Sequence, residues 1–292
     1  MDVIEVDALP YLHMPAIRAV SLIRRVPLVA TWHEFWGQQY WVDYLGRAGM
    51  VAARIERSSA AMSDMIVAAS PLTASRIREA NPRVRLRVIE NGVDGQLINS
   101  ARKTVSNDEE RKTLVVVGRL LKHKNIDIAL RALALSRRSD ARLSVIGVGP
   151  EMDRLVGLTR ELGLQDRVSF EGRIDDHFDV LRRMATARLL LFPSVREGFG
   201  MVAAEAICLG TPVVTSDAVN NAARLLVSHG SDGVICAAEP EAVAAAIDEA
   251  WNMEAVGRES IPRRWDWEWL ADGLFDALTS AVAPACSAGA EV

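Results

Sequence analysis

Short apolar, β-branched runs alternate along this chain with stretches of helical period, most clearly from residue 113 onward. Leu114–Val117, Leu143–Ile146, Val168–Phe170, Leu189–Phe192 and Pro212–Thr215 read as buried strands. Asp127–Arg137, Glu151–Leu162, Phe178–Thr186 and Met201–Leu209 read as the helices between them. Buried strands alternating with helices predict a parallel α/β sheet covered on both faces, with right-handed crossovers. The first ninety residues repeat the rhythm less cleanly. There Val3–Val6, Leu28–Thr31, Met65–Ala69 and Leu86–Ile89 read as strands, and Ala16–Arg25, Gly49–Ala61 and Leu72–Ala80 as helices.

The turn dipeptides Asn91-Gly92 and Asp94-Gly95, followed by the polar stretch Ser100–Lys112, place a boundary near residues 91–112. The domains expected are residues 1–97 and 98–283, with a small-residue tail over 284–292 that frays. The first domain opens in a strand and holds four. At roughly 30 residues per βαβ unit, a full doubly wound domain would need about two or three more units, so the N-terminal domain reads as incomplete.

Composition narrows the classes. The chain has 292 residues, with 34 Lys+Arg against 38 Asp+Glu and a net charge of −4, which is no footprint for bulk nucleic-acid binding. Half the residues are apolar, which excludes general disorder. The apolar runs are too short for a membrane-spanning helix, and the opening MDVIEVDALP lacks the basic and apolar regions of a secretory signal. Cys208, Cys236 and Cys286 are widely spaced, which fits a reduced, cytoplasmic protein better than a disulfide scaffold or a zinc site.

In an open parallel sheet, ligands bind at the carboxyl ends of strands. After Leu114–Val117 comes Gly118-Arg119-Leu120-Leu121-Lys122-His123-Lys124-Asn125, cationic side chains leading into a helix N-terminus, which suits an anion. Arg119 could grip phosphate oxygens bidentately and Lys124 act as a point charge; a solvated basic loop reads equally well. After the next strand, Gly147-Val148-Gly149 either admits a ligand close to the backbone or closes a tight turn. Glu171-Gly172-Arg173 ends the third strand, before Asp175, Asp176 and Asp179. These carboxylates are better explained as first-turn acids complementing a helix dipole than as a metal site. The fourth strand leads through Pro193–Gly200, with Glu197, into a helix that is apolar all round except for Glu205. A carboxylate buried there needs a partner, either a structural donor or a ligand hydroxyl. Cations at one end and carboxylates at the other suit a diphosphate joined to several hydroxyls, the shape of a sugar nucleotide. Trp32, Phe35, Trp36, Tyr40 and Trp41 read as an acceptor platform, a membrane-touching surface or a local aromatic core.

The runs VVGRLLKHKNIDIALRAL, VIGVGPE, VSFEGRI and LLLFPSVREGFGMVAAEAICLGTPVVTS, in this order, resemble the C-terminal domain of glycosyltransferase family 4 over about residues 88–235. Asn91–Asp94 is similar to that family's interdomain hinge. TWHEFWG and the segment at 67–70 are similar to the second half of its N-terminal domain. Trp265-Asp266-Trp267 resembles the start of the helix that crosses back. The resemblance implies a GT-B fold of two Rossmann-like domains, the N-terminal one incomplete. It also implies metal-independent, retaining transfer of a hexosyl group from a nucleoside-diphosphate-sugar to an acceptor hydroxyl, with no cofactor. By resemblance, Arg119 and Lys124 would bind the donor diphosphate. Glu197 would position the donor sugar, with the backbone N–H groups of Gly198, Phe199 and Gly200 beside it. Glu205 would take the ribose hydroxyls, backbone near Arg173 and Ile174 would meet the base, and His33 would face the donor sugar. Glycan or lipid-linked acceptors fit the family, the latter with peripheral contact at the inner face of a membrane. Two features depart from the pattern: the family's glycine-rich loop has no counterpart here, and Leu225 stands where an acidic residue is usual. A nucleotide-binding remnant or partner-dependent subunit without catalysis, and a sugar-nucleotide epimerase of the same fold, would use similar grips.

Overall fold

The computed structural model describes residues 3–105, 112–253 and 261–282. Cys286 and the tail expected over 284–292 lie outside the described residues. The chain forms two compact units, which divide at Gly92/Val93 and again at Asp266/Trp267. The helix Trp267–Val282, for which the resemblance at Trp265-Asp266-Trp267 implied a return to the N-terminal domain, packs with the first unit.

In the first unit, β1 (Ile4–Asp7), β2 (Leu28–Trp32), β3 (Met65–Ala68) and β4 (Leu86–Val88) form a parallel sheet in that spatial order. The helices are α1 (Met14–Arg24), α2 (Gly37–Leu45), α3 (Gly49–Ala61) and α4 (Pro71–Ala80). Alternation along the strands decides the faces. Leu28, Ala30, Trp32 and Ile66 share a core with Met14, Ala60 and Ile77, while Val29, Met65 and Val67 pack under Ala277 and Ala281 of the helix Trp267–Val282. The α4 start follows local rules: Ser70 accepts a hydrogen bond from the Thr73 amide at 3.1 Å, and Pro71 occupies the first turn. The aromatic group resolves as core. Trp32 is fully buried, Tyr11 stacks on it with centroids 5.4 Å apart, and Phe35 lies 5.6 Å away. The platform and membrane readings of Trp32 and Phe35 are thereby corrected: burial in the sheet's core takes these rings away from any ligand or bilayer.

The second unit carries six parallel strands: β5 (Thr113–Val117), β6 (Arg142–Ile146), β7 (Val168–Gly172), β8 (Leu189–Phe192), β9 (Val213–Ser216) and β10 (Gly233–Cys236). Their spatial order is β10-β9-β8-β5-β6-β7. Growth of the sheet reverses between β5 and β8, so a topological switch point lies between their carboxyl ends. The helices are α5 (Gly95–Arg102), α6 (Ile126–Leu135), α7 (Met152–Glu161), α8 (His177–Thr186), α9 (Met201–Leu209) and α10 (Pro240–Ala250). Val115 and Leu190 point to the core shared with α5, α8 and α9; Leu114, Val116, Leu189 and Leu191 point to the core shared with α6, α7 and α10. Each such side chain contributes about 1.5–3 kcal/mol by leaving water. Both faces are therefore covered, as the uninterrupted apolar runs require.

Candidate functional site

Three glycines bring the first two strand-end loops of the second unit together. Gly118 and Gly147 have φ of 146° and 138°, and a Cβ on Gly147 would sit 1.9 Å from the Gly118 carbonyl oxygen. A Cβ on Gly149 would meet the Leu120 backbone at 2.4–2.8 Å, and the Leu120 amide donates to Val148 O at 3.0 Å. The space beside Gly149 is thus filled by the neighbouring loop. Its requirement for glycine comes from that close approach, which is the tight-turn alternative for this loop.

This packing sets the β5–α6 loop. Arg119 is exposed, and Lys122–Lys124 form one tight turn before Asn125. Asn125 takes a left-handed conformation at φ 50° and its Nδ2 donates to Pro193 O at 3.3 Å, tying this loop to the one after β8. Lys124 Nζ lies 2.5 Å from Glu197 Oε1 and 5.5 Å from the centre of the Phe192 ring. Burial first, then the charges of Arg196, Lys124 and Arg119, push the His123 imidazole down to about 4. Arg119, Lys124 and Arg196 therefore gather their positive charge around a neutral His123 at the switch point. Arg196 was not singled out from the sequence; its place beside Glu197 in the strand-end loop was the available signal.

The loop after β8 is held from below. Ser216 Oγ donates to Ser194 O at 2.5 Å, the Glu197 amide donates to Asn220 O, and the Ala222 amide donates to Glu197 O, both at 3.0 Å. Fully buried Asn221 donates to Thr215 Oγ1 and Ser216 O and accepts from the Ala223 amide. Gly198 lies in this tethered loop. The Phe199 ring is buried edge-on against Trp265, with centroids 6.5 Å apart, so Phe199 can offer a ligand its backbone N–H only. Gly200 has φ 101°, and a Cβ there would come within 2.6 Å of Ala223 Cβ. α9 starts at once, with its unpaired N–H groups and positive dipole end.

Within α9, residues 203–209 are all buried, and Glu205 is the charged residue among them, 7% exposed. Its partner is His177, on the first turn of α8, with Nε2 3.0 Å from Glu205 Oε1. That hydrogen bond is the main reason the His177 imidazole is raised; burial opposes it, and the Glu205, Asp94 and Asp176 charges add to the rise. His177 escaped the sequence reading because the pair spans 28 positions and two helices. The acidic run beside it has structural work. Asp176 caps α8 by accepting from the Phe178 amide at 2.9 Å, Asp175 pairs with Arg173 at 2.7 Å and Asp179 with Arg182 at 3.2 Å. Arg173 is otherwise exposed, Ile174 packs against the core, and Leu225 is 45% exposed.

His33 belongs to the first unit, directly after β2. It is exposed, and its Nε2 lies 3.0 Å from Asp7 Oδ1, at the end of the neighbouring strand β1. A separate groove of about 440 Å³ lies at the amino ends of β5, β6 and β7, opposite the switch point. Its polar groups largely satisfy one another, with Ser144, Ser169 and Arg183 all on Glu171.

A doubly wound sheet with cationic side chains at its switch point and a partnered buried carboxylate in the helix that follows has the crevice in which open α/β sheets hold their ligands. The chain belongs to the glycosyl transferases group 1 family, whose model matches residues 98–265, and a glycosyltransferase family 4 model matches residues 1–97. Among curated relatives, a GDP-mannose-dependent alpha-(1-6)-phosphatidylinositol monomannoside mannosyltransferase of Mycobacterium tuberculosis is 30% identical over 252 residues, 78% of this chain and 65% of the relative. The glycogen synthase of the same organism is 29% identical over 282 residues, 91% of this chain and 66% of the relative. The chain spans about half to two thirds of the length of these and a third curated relative, an uncharacterized glycosyltransferase of Methanocaldococcus jannaschii. Among solved structures, Anabaena HepE in complex with UDP matches with a TM-score of 0.78 at 24% identity, over 96% of this chain and 79% of that one. The two-sheet α/β architecture is thus that of GT-B glycosyltransferases.

Proposed function

We propose that the chain moves a hexosyl group from a nucleoside-diphosphate-sugar to an acceptor hydroxyl, with retention and without a metal ion. The observation that carries this reading is the cluster of Arg119, Lys124 and Arg196 around His123, at the switch point of a sheet beside which α9 buries Glu205. The diphosphate lies on the cluster, and Arg119 and Lys124 supply the positive charge a departing diphosphate needs. The N-terminus of α9, with the N–H groups of Gly198, Phe199 and Gly200, adds to it. Glu205 takes the ribose hydroxyls, Glu197 the donor sugar, and backbone near Arg173 and Ile174 the base. His33 keeps the donor-sugar role that the resemblance gives it. The bond from the anomeric carbon to the diphosphate oxygen breaks while the acceptor oxygen attacks from the same face. The acceptor's proton passes to the departing diphosphate. No covalent nucleophile and no cofactor enter this scheme.

The acceptor side is a glycan or a lipid-linked sugar. The name of the mannosyltransferase relative, which includes phosphatidylinositol monomannoside, supports the lipid arm and peripheral contact with the inner face of a membrane. Among the described residues no helix is long and apolar enough to cross a membrane. The test is calorimetric titration of the chain with UDP, GDP and ADP, with Arg119→Ala as control. Saturable binding of one nucleotide, lost in a folded variant, is expected and names the base. A folded chain that binds none of the three overturns the reading.

A further inference from the structure

We propose that His177 is a positioning residue for the nucleotide ribose, holding one oxygen of the Glu205 carboxylate so that the other meets the vicinal hydroxyls. The inference rests on the reading that Glu205 binds ribose, and goes beyond it by naming what makes Glu205 fit for the task. A carboxylate on an otherwise apolar, buried helix is costly unless hydrogen-bonded. Among the described residues, the contact from His177 Nε2 to Oε1 at 3.0 Å is the one hydrogen bond this carboxylate makes. A carboxylate has about four lone-pair sites, so Oε2 and part of Oε1 stay available to two hydroxyls.

His177 is itself held. It is the first residue of α8, directly after the capping Asp176, and α8 is anchored by Val180, Leu181 and Met184 in the core. Asp94 and Asp176 add negative charge around the imidazole, which keeps it a donor toward Glu205. A side chain half exposed at one edge and fixed to a buried acid at the other is built to orient that acid at a site edge.

The experiment compares affinities for UDP, GDP and ADP with those for the matching 2′-deoxynucleotides, in the unaltered chain, His177→Ala, His177→Gln and Glu205→Ala. One hydroxyl bond corresponds to about a three- to tenfold preference for the ribonucleotide in the unaltered chain. Glu205→Ala is expected to erase this preference. His177→Ala is expected to shrink it to within about twofold, by weakening ribonucleotide binding while 2′-deoxynucleotide affinity holds. In His177→Gln, whose amide can still donate, most of the preference returns. In turnover assays the donor KM rises in His177→Ala while kcat changes little. A merely structural role would weaken both nucleotides alike and move kcat with KM. If Glu205→Ala erases the preference but His177→Ala keeps it, the positioning role falls and the ribose reading stands. If Glu205→Ala keeps it too, the ribose reading fails and takes the positioning role with it.

Discussion

Lys124 and Glu197 show why charge and packing must be separated residue by residue. They sit 2.5 Å apart with side chains 21% and 11% exposed, so removing one leaves the other poorly solvated. Arg119 is exposed and, among the described residues, makes no hydrogen bond within the protein. Arg119→Ala is therefore expected to leave stability within about 0.5 kcal/mol while lowering turnover by about 10²–10³. Lys124→Ala should lower turnover and also cost about 1–3 kcal/mol in urea unfolding. Equal turnover in Arg119→Ala and the unaltered chain would remove the anion role from this loop. His123 and His177 act on stability with opposite sign. Between pH 6.5 and about 4 the unfolded His123 takes a proton that the folded one refuses, so its contribution to stability declines as pH falls through that window. His177 is raised, so its contribution is complete below the unfolded value and is lost as pH climbs through the raised one. Urea unfolding of His123→Gln at pH 7 and pH 5 should show a smaller loss on acidification than the unaltered chain; an equal loss would place the titration elsewhere. Residue identity was legible where the chemistry is local: Arg119, Lys124 and Glu197 stand in strand-end loops, and Glu205 is the charged residue of an otherwise apolar helix. Partners such as His177 for Glu205 and Asp7 for His33 were not, because each comes from a different element.

Elements were legible in proportion to their apolar content. Strands β5 to β9 and helices α6 to α9 were read to within two residues at either end, because unbroken or strongly periodic apolar runs specify them. α5 lies across the turn dipeptide Asp94-Gly95 and the start of the polar stretch Ser100–Lys112, neither of which reads as a helix. It buries only Ile98 and Ala101, and its start is set by Asp94, which accepts from the Gln96 and Leu97 amides at 3.0 and 2.9 Å. That capping signal precedes an i, i+3 apolar pair, Ile98 and Ala101, which together mark the helix. β10 and α10 were passed over too, though Pro240 stands at the first turn of α10. α2 carried no usable signal: none of its residues is fully buried, and its position depends on a distant acid. Glu56 of α3, fully buried, accepts from Tyr11 Oη at 2.9 Å and from the Trp36 and Gly37 amides at 2.8 and 2.9 Å, where α2 begins. Glu56→Ala strands one hydroxyl and two amides, at about 1–3 kcal/mol each, so a loss of about 3 kcal/mol or more is expected in urea unfolding. Glu56→Gln keeps one acceptor oxygen and should lose less. Equal stability of Glu56→Ala and the unaltered chain would mean that the start of α2 does not depend on this acid.

At the scale of the molecule, two parallel sheets carry separate cores, the first on one face around Trp32, Tyr11 and Ile66 and on the other around Val29, Met65 and Ala277, the second likewise on both of its faces. The rhythm of the chain marks two α/β units, whereas the return of the helix Trp267–Val282 to the first rests on the resemblance at Trp265-Asp266-Trp267, and its packing on Val29, Met65 and Val67 supplies the physical reason. Separate cores mean that each unit can open by its own amount, and a ligand that binds only folded protein stabilises what must be folded to hold it. All the side chains argued to meet the nucleotide lie between Val93 and Asp266. At a nucleotide concentration 100 times its dissociation constant, amides that exchange only when the second unit unfolds should slow by about 100-fold, which corresponds to about 2.7 kcal/mol. The amides of β5, β6 and β8 are the ones to follow. Those of β2 and β3 should exchange at an unchanged rate, because their core makes no such contact. Hydrogen exchange with mass-spectrometric readout, with and without the nucleotide that calorimetry selects, separates the outcomes. Protection confined to the second unit supports a donor site built from that unit's strand ends. Protection confined to β2 and β3 would move the nucleotide to the first unit and overturn the assignment. Equal protection of both would mean that the two cores unfold as one cooperative body despite their separate packing.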